Sequence, residues 1–175
     1  MCIRDRIIWS AVHFTSAYSG LKFLLEVCGT AGMNSCSDGG WTPLASAVTS
    51  FIHQGEQHLS TIELLLSAGA NPNRAVVNCI YNDTPLQLIH HRDYRSVPAR
   101  TRRLVSHLLL RYGAEVSPAA TDPYLCKVAA AGGLRAYEKA HRRALAMTLA
   151  RVVFPRLPVD VVSHVVAFSF HAGYY

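Results

Sequence analysis

The sequence predicts an all-α fold, a solenoid of helical hairpins with C-terminal capping helices. Three observations predict it. Thr-Pro-Leu occurs twice, at residues 42–44 and 84–86. Each copy is followed by a leucine-rich segment that ends in Gly-Ala: "STIELLLSAGANPN" after the first and "RRLVSHLLLRYGAEVS" after the second. Half of the 175 residues are hydrophobic and only 16% are charged, so there is ample apolar material to bury. A local turn signal would not carry a second, distant half along with it; a repeated unit does.

The first six residues, "MCIRDR", stand apart. They resemble the translation of a transposon-type sequencing adaptor, so Met1 is expected not to be the natural start and the chain to be a truncated fragment. The following "IIWSAVHFTSAY" is interrupted by Ser10, His13, Thr15 and Ser16, which argues against a secretory signal. Residues 7–133 are then expected to form the repeat array. Its clear copies span about 41–73 and 83–117, with degenerate copies on either side.

Each part of the unit has a physical task. Thr42 and Thr84 are N-caps whose hydroxyls accept from a first-turn amide. Pro43 and Pro85 have a preset φ and no N–H to leave unsatisfied. A polar break follows, then a second helix with apolar positions Ile62, Leu65 and Leu66 in one copy and Leu104, Leu108 and Leu109 in the other. Gly69 and Gly113 permit the left-handed backbone that stops a helix. The unit reads as helix, turn, helix, glycine stop and extended return.

At these residues the chain resembles the ankyrin repeat family, whose motif is Thr-Pro-Leu-His-x-Ala with a period of about 33 residues. "GGWTPLASA…IELLLSAGANPN" and "NDTPLQLI…LVSHLLLRYGAEV" carry the resemblance, with Ala45 and Gln87 at the position of the motif histidine. Upstream, "SAVHFTSAYSGLKFLLEVCGTAGMNSCSDGGW" resembles a degraded copy with Asn34 before the turn; downstream, "YLCKVAAAGGLRAYEKAHRR" resembles another. A single unit cannot bury its own apolar face, so about three to four repeats are expected. Insertions sit at "FIHQGEQHLS", "RAVVNCIYND" and "HHRDYRSVPARTRR".

Residues 134–175 change pattern and are expected to form the helical cap of the array. Leu134, Tyr137, His141, Leu145, Thr148, Leu149 and Val152 fall near one helical face, with Arg135, Lys139, Arg142 and Arg143 largely off it. "FPRLP" breaks that helix. "VDVVSHVVAFSF" leaves helix and strand both open, with helix preferred because Val161, Val162, Val165 and Val166 make one stripe. "LPVDVVSHVVAF" also resembles the start of an F-box and, more loosely, the end of a SOCS box. That resemblance implies a substrate-recognition adaptor of a ubiquitin ligase. Against it, too few residues follow Leu157 for an F-box, and Val153 stands where a SOCS box has a small residue or cysteine.

Several function classes are disfavoured. The five cysteines (Cys2, Cys28, Cys36, Cys79, Cys126) are scattered and never spaced as C-x-x-C, and the nine histidines are dispersed, so no metal or cofactor is expected. Reduced thiols point to a cytoplasmic protein, with the nucleus as the alternative. No uncharged apolar run is long enough for a membrane span. No phosphate loop, nucleophile elbow or zinc-protease motif is present, and no enzyme is expected. The reading is a monomeric, non-catalytic scaffold for protein–protein interaction.

Resemblance to ankyrin repeats implies partner contact through the extended turns before each Thr-Pro. That nominates Asp38 and Trp41 in the first turn and Arg74, Tyr81 and Asn82 in the second; Trp, Tyr and Arg are frequent interface anchors. Trp41 can equally pack against a neighbouring repeat, and "VVNCIY" can be a hairpin burying its valines. The insertion before the second leucine-rich helix adds Arg92, Tyr94 and Arg95, with Arg100, Arg102 and Arg103 beyond them. The net charge of +6 permits an acidic partner surface, and the arginine-rich insertion can equally be a solvated surface loop. A basic nucleic-acid-binding module is the third reading, without a supporting fold signature.

Overall fold

The computed structural model describes residues 18–30, 32–54, 58–77, 82–91 and 97–171. Among these the chain forms eight helices and no strand. It divides into two compact units, Met1–Asp122 and Pro123–Tyr175.

In the first unit, both Thr-Pro-Leu copies start helices as their chemistry requires. Helix α1 spans Tyr18–Cys28, α2 Pro43–Gln54, α3 Leu59–Ser67, α4 Pro85–Ile89 and α5 Ala99–Arg111. Thr42 Oγ1 accepts from the Ala45 amide at 3.1 Å. Thr84 does more: its hydroxyl accepts from the Gln87 amide, and the Gln87 side chain accepts from the Thr84 amide at 2.8 Å. This reciprocal box satisfies two otherwise unpaired donors. Gln87, at the motif histidine's position, therefore still supplies a side-chain bond at the helix start, whereas Ala45 is packed in the core. The two first helices differ in length, twelve residues against five. Past Ile89 the chain offers Arg92 and Asp93 where an apolar i+3 or i+4 residue would be needed to keep a buried face.

The hairpins stack in two rows. Helix α2 packs on α3 and α4 on α5; α2 and α4 lie side by side in one row, and α1, α3 and α5 follow one another in the other. Thr61, Ile62, Leu65 and Leu66 are buried on α3, and Val105, Ser106, Leu109 and Leu110 are buried on α5. These two sets are the same four positions of the repeat. The expected stripe on α5 is thereby rotated: Leu104 is exposed and Leu108 only half-buried, because Val105 and Leu109 face the core. Packing selected the positions that α3 uses and overrode a stripe chosen by leucine content. Gly69 (φ +94°) and Gly113 (φ +92°) close both helices, with the Ala70 amide on the Leu65 carbonyl and the Ala114 amide on the Leu109 carbonyl. Each following alanine is buried against the end of its helix.

Within the first unit, two asparagines tie successive helix stops together. Asn34 Nδ2 donates to the Gly69 carbonyl (3.2 Å) and its Oδ1 accepts from the Asn71 amide (2.7 Å). Asn73 repeats this one unit later, donating to the Gly113 carbonyl (2.9 Å) and accepting from the Glu115 amide (2.8 Å). One side-chain amide thus satisfies both backbone groups that a helix stop leaves open. Asn34, together with the buried Leu21 and Met33, fixes α1 and its turn against the α3 end of the stack. At the same point after Gly113 stands Ser117, whose shorter hydroxyl accepts only locally, from the Ala119 amide.

The second unit contains α6 Pro123–Ala130, α7 Leu134–Val152 and α8 Val159–His171. Pro123 opens α6 as Pro43 and Pro85 open α2 and α4, one residue before the segment that the sequence analysis singled out from Tyr124. Successive glycines with positive φ, Gly132 and Gly133, allow the reversal into α7. Helices α7 and α8 pack through Ala146, Ala150, Val162 and Val166, flanked by Leu145 and Leu149. The valine segment is a helix, but only Val162 and Val166 of its stripe are buried; Val161 and Val165 are exposed. On α7 the expected stripe holds in part: Leu134 is buried and Leu145 and Leu149 flank the α8 contact, but His141, Thr148 and Val152 are exposed and Ala146 and Ala150 are buried in their stead.

Replacing Asn73 by Ala removes its two bonds to the Gly113–Glu115 turn and is expected to lower unfolding stability by about 1–3 kcal/mol, measured by urea unfolding of the full chain. Asn73→Asp should also destabilise, because a carboxylate cannot donate to the Gly113 carbonyl.

Candidate interaction surface

The loops that carry the nominated residues are held by backbone bonds. In the first, the Ser37 carbonyl accepts from the Gly40 amide (2.9 Å), the Ser37 amide donates to the Trp41 carbonyl (2.9 Å), and the Trp41 amide donates to Ser37 Oγ (3.2 Å). Asp38 and Gly39 occupy the exposed tip. In the second, the Val76 amide donates to the Asp83 carbonyl (2.9 Å) and draws the two ends of the loop together. The Val77 amide reaches the Gly40 carbonyl at 3.4 Å, so the two loops lie side by side. Gly40 is demanded there twice over. Its φ is +76°, and a Cβ would overlap the Val77 carbonyl oxygen.

Asp38, Arg74 and Asn82 are all exposed. Trp41 is half-buried and packs against a cluster of Ala45, Val76 and Leu88, contributed by α2, the second loop and α4. Its indole therefore bridges neighbouring units. Tyr81, Arg92, Tyr94 and Arg95 lie outside the described residues, as does most of "VVNCIY". Of the two described valines in that insertion, Val76 is buried and Val77 is exposed. Farther along the arginine-rich segment, Arg100 and Arg103 are exposed, while the Arg102 guanidinium donates to the Val97 carbonyl at 3.0 Å.

One polar cluster was invisible to motif reading because its members are far apart in sequence. His90 Nε2 lies 2.8 Å from Ser106 Oγ, and His90 Nδ1 lies 3.6 Å from Asp122 Oδ2. The order Ser–His–Asp is that of a hydrolytic triad, but the chemistry differs. Ser106 is fully buried, and its hydroxyl proton is directed at the Arg102 carbonyl (2.8 Å). Bonded in this way to the backbone of its own helix and closed off from solvent, the hydroxyl is not presented as a nucleophile. The cluster satisfies a buried hydroxyl where α4 ends against α5. Among the described residues no group of three or more His, Cys, Asp or Glu side chains is arranged to hold a metal ion. None of their helices is long and apolar enough to cross a membrane.

Two histidines carry shifted proton affinities. Burial holds His58 below its ordinary value of 6.5. His90 is also lowered, chiefly by burial, with the nearby Asp122 opposing and Arg102 adding to the effect. A lowered value in the folded state means that the unfolded chain binds more protons in the window just below 6.5. Stability is then fully present above that value and declines as the pH falls through it. The unfolding midpoint is accordingly expected to be level above about pH 7 and to drop toward pH 5. His90→Gln, which keeps a side-chain hydrogen-bonding partner for Ser106 without a titrating group, should flatten part of that drop in a pH series of thermal melts.

The sequence of residues 39–76 matches the family model described as Ankyrin repeat. The matched segment begins at the first loop tip, contains α2 and α3, and ends at Val76. No curated protein matches the chain. The all-helical architecture agrees with an ankyrin-type repeat fold.

Proposed function

We propose that this chain is a non-catalytic scaffold for protein–protein interaction, working from the cytoplasm as a monomer. One observation carries the reading: adjoining loops with exposed Asp38, Arg74 and Asn82 are pinned to stacked helices by the Gly40–Val77 contact and by the asparagine ties. A surface already held in shape loses little conformational entropy when a partner docks. Loops on a rigid scaffold are also where binding residues concentrate. Trp41 supports this surface from beneath, fixing the first loop against its neighbour. A photo-crosslinker at Asn82 is expected to capture a partner from extract. The double change Asp38→Arg with Arg74→Glu should lower recovery about tenfold without altering the melting temperature; undiminished recovery rejects this surface.

A second reading, a ubiquitin-ligase adaptor, draws support from the C-terminal unit. Phe154, Leu157, Val161, Val165 and Phe168 remain exposed along α8 and the turn before it, and exposed large apolar groups in such number mark interaction sites. Direct binding of purified cullin-associated adaptor proteins, lost on Leu157→Asp, is the outcome expected of that reading. Absence of binding by the unaltered chain removes it.

A further inference from the structure

The positive charge of the protein is not spread evenly. Ten Lys and Arg stand against nine Asp and Glu up to Asp122, whereas seven stand against two from Pro123 onward. Nearly all of the net +6 thus belongs to the second unit. Within it, Arg135, Lys139 and Arg142 follow at spacings of four and three residues, which puts them on one face of α7 over about 10 Å of helix. Continued by the same spacing, that face reaches Ala146 and Ala150, the residues against which α8 packs. One seam therefore changes character along its length, cationic in the first half and apolar in the second. The cationic half forms an open depression of about 600 Å³ lined by Arg135, Glu138, Lys139 and Arg142. Arg135 and Lys139 are exposed at its edge, and Glu138 holds Arg142 in place at 3.5 Å.

We infer that this half of the α7 seam is a docking site for an acidic segment of a partner protein, separate from the loop surface of the first unit. The charge excess identifies the sign of the occupant, and Glu138 identifies its class. A phosphate backbone presents only acceptors and negative charge, which the Glu138 carboxylate repels. A peptide presents carboxylates to the exposed Arg135 and Lys139 and, from the same strand, N–H groups that a nearby carboxylate does not repel. The exposed Arg135 guanidinium fork suits paired recognition of a carboxylate, with Lys139 beside it as a point charge, while Arg142 is held by Glu138.

The test uses the full chain and a fluorescein-labelled, glutamate-rich peptide, with its glutamine counterpart and a single-stranded DNA oligonucleotide of similar length. The glutamate peptide is expected to bind in a salt-sensitive manner and the glutamine peptide not to bind. The oligonucleotide should bind more weakly than the glutamate peptide. Arg135→Glu with Lys139→Glu should weaken the peptide about tenfold or more while circular dichroism and melting temperature hold, since both side chains are exposed. Asp38→Arg with Arg74→Glu should leave peptide affinity unchanged, which separates this site from the loop surface. Tighter binding of the oligonucleotide, equal binding of the glutamine peptide, or full affinity in the α7 double variant overturns the inference.

Discussion

A helical hairpin of this length has one apolar face too many. Helix α3 is nine residues long and buries Thr61, Ile62, Leu65 and Leu66, more than its own partner α2 can cover. The rest of that face is covered by α1 on one side and α5 on the other. Everything else in the first unit follows from this shortage. Stability becomes a sum over neighbouring contacts rather than the property of one central core, and each loop must bring the chain back to begin the next hairpin in register.

The registration is set by small polar devices rather than by bulk. Threonine and proline fix where a first helix begins, and glycine with a buried alanine fixes where the second one ends. Asn34 and Asn73 then bind one stop to the next through paired bonds to a carbonyl and an amide. Such bonds are individually modest. Their value here is geometric, since each sets the distance and orientation between consecutive turns. The Gly40–Val77 approach performs the same service at the opposite end of the loops, where no side chain fits.

Charge is organised on a different plan. The first unit is nearly balanced, and its partly buried polar cluster of His90, Ser106 and Asp122 serves packing where α4 is cut short. The second unit carries the excess and places a coherent part of it on α7. The apolar and cationic halves of that helix lie on one face because its small alanines, not its larger leucines and tyrosine, admit α8 closely. Close approach of helices favours small side chains at the crossing point, and this selection left the cations on the continuation of the same seam.

The repeat, its helix starts at Thr42 and Thr84, its stops at Gly69 and Gly113, and its all-helical class were determined by sequence alone. Each rests on a local rule linking residue type to backbone conformation, and the spacing of those residues survives folding unchanged. What only the tertiary structure decided concerns which side of a helix meets a neighbour. Val105 rather than Leu104 is buried on α5, Ala146 rather than Thr148 on α7, and Trp41 is half-enclosed by residues from three segments. The partners of Asn73 and His90 were likewise unreadable, lying far along the chain at Gly113, Glu115, Ser106 and Asp122. Periodicity says that a face exists; packing, which depends on the shape and distance of the neighbouring helix, chooses which face it is.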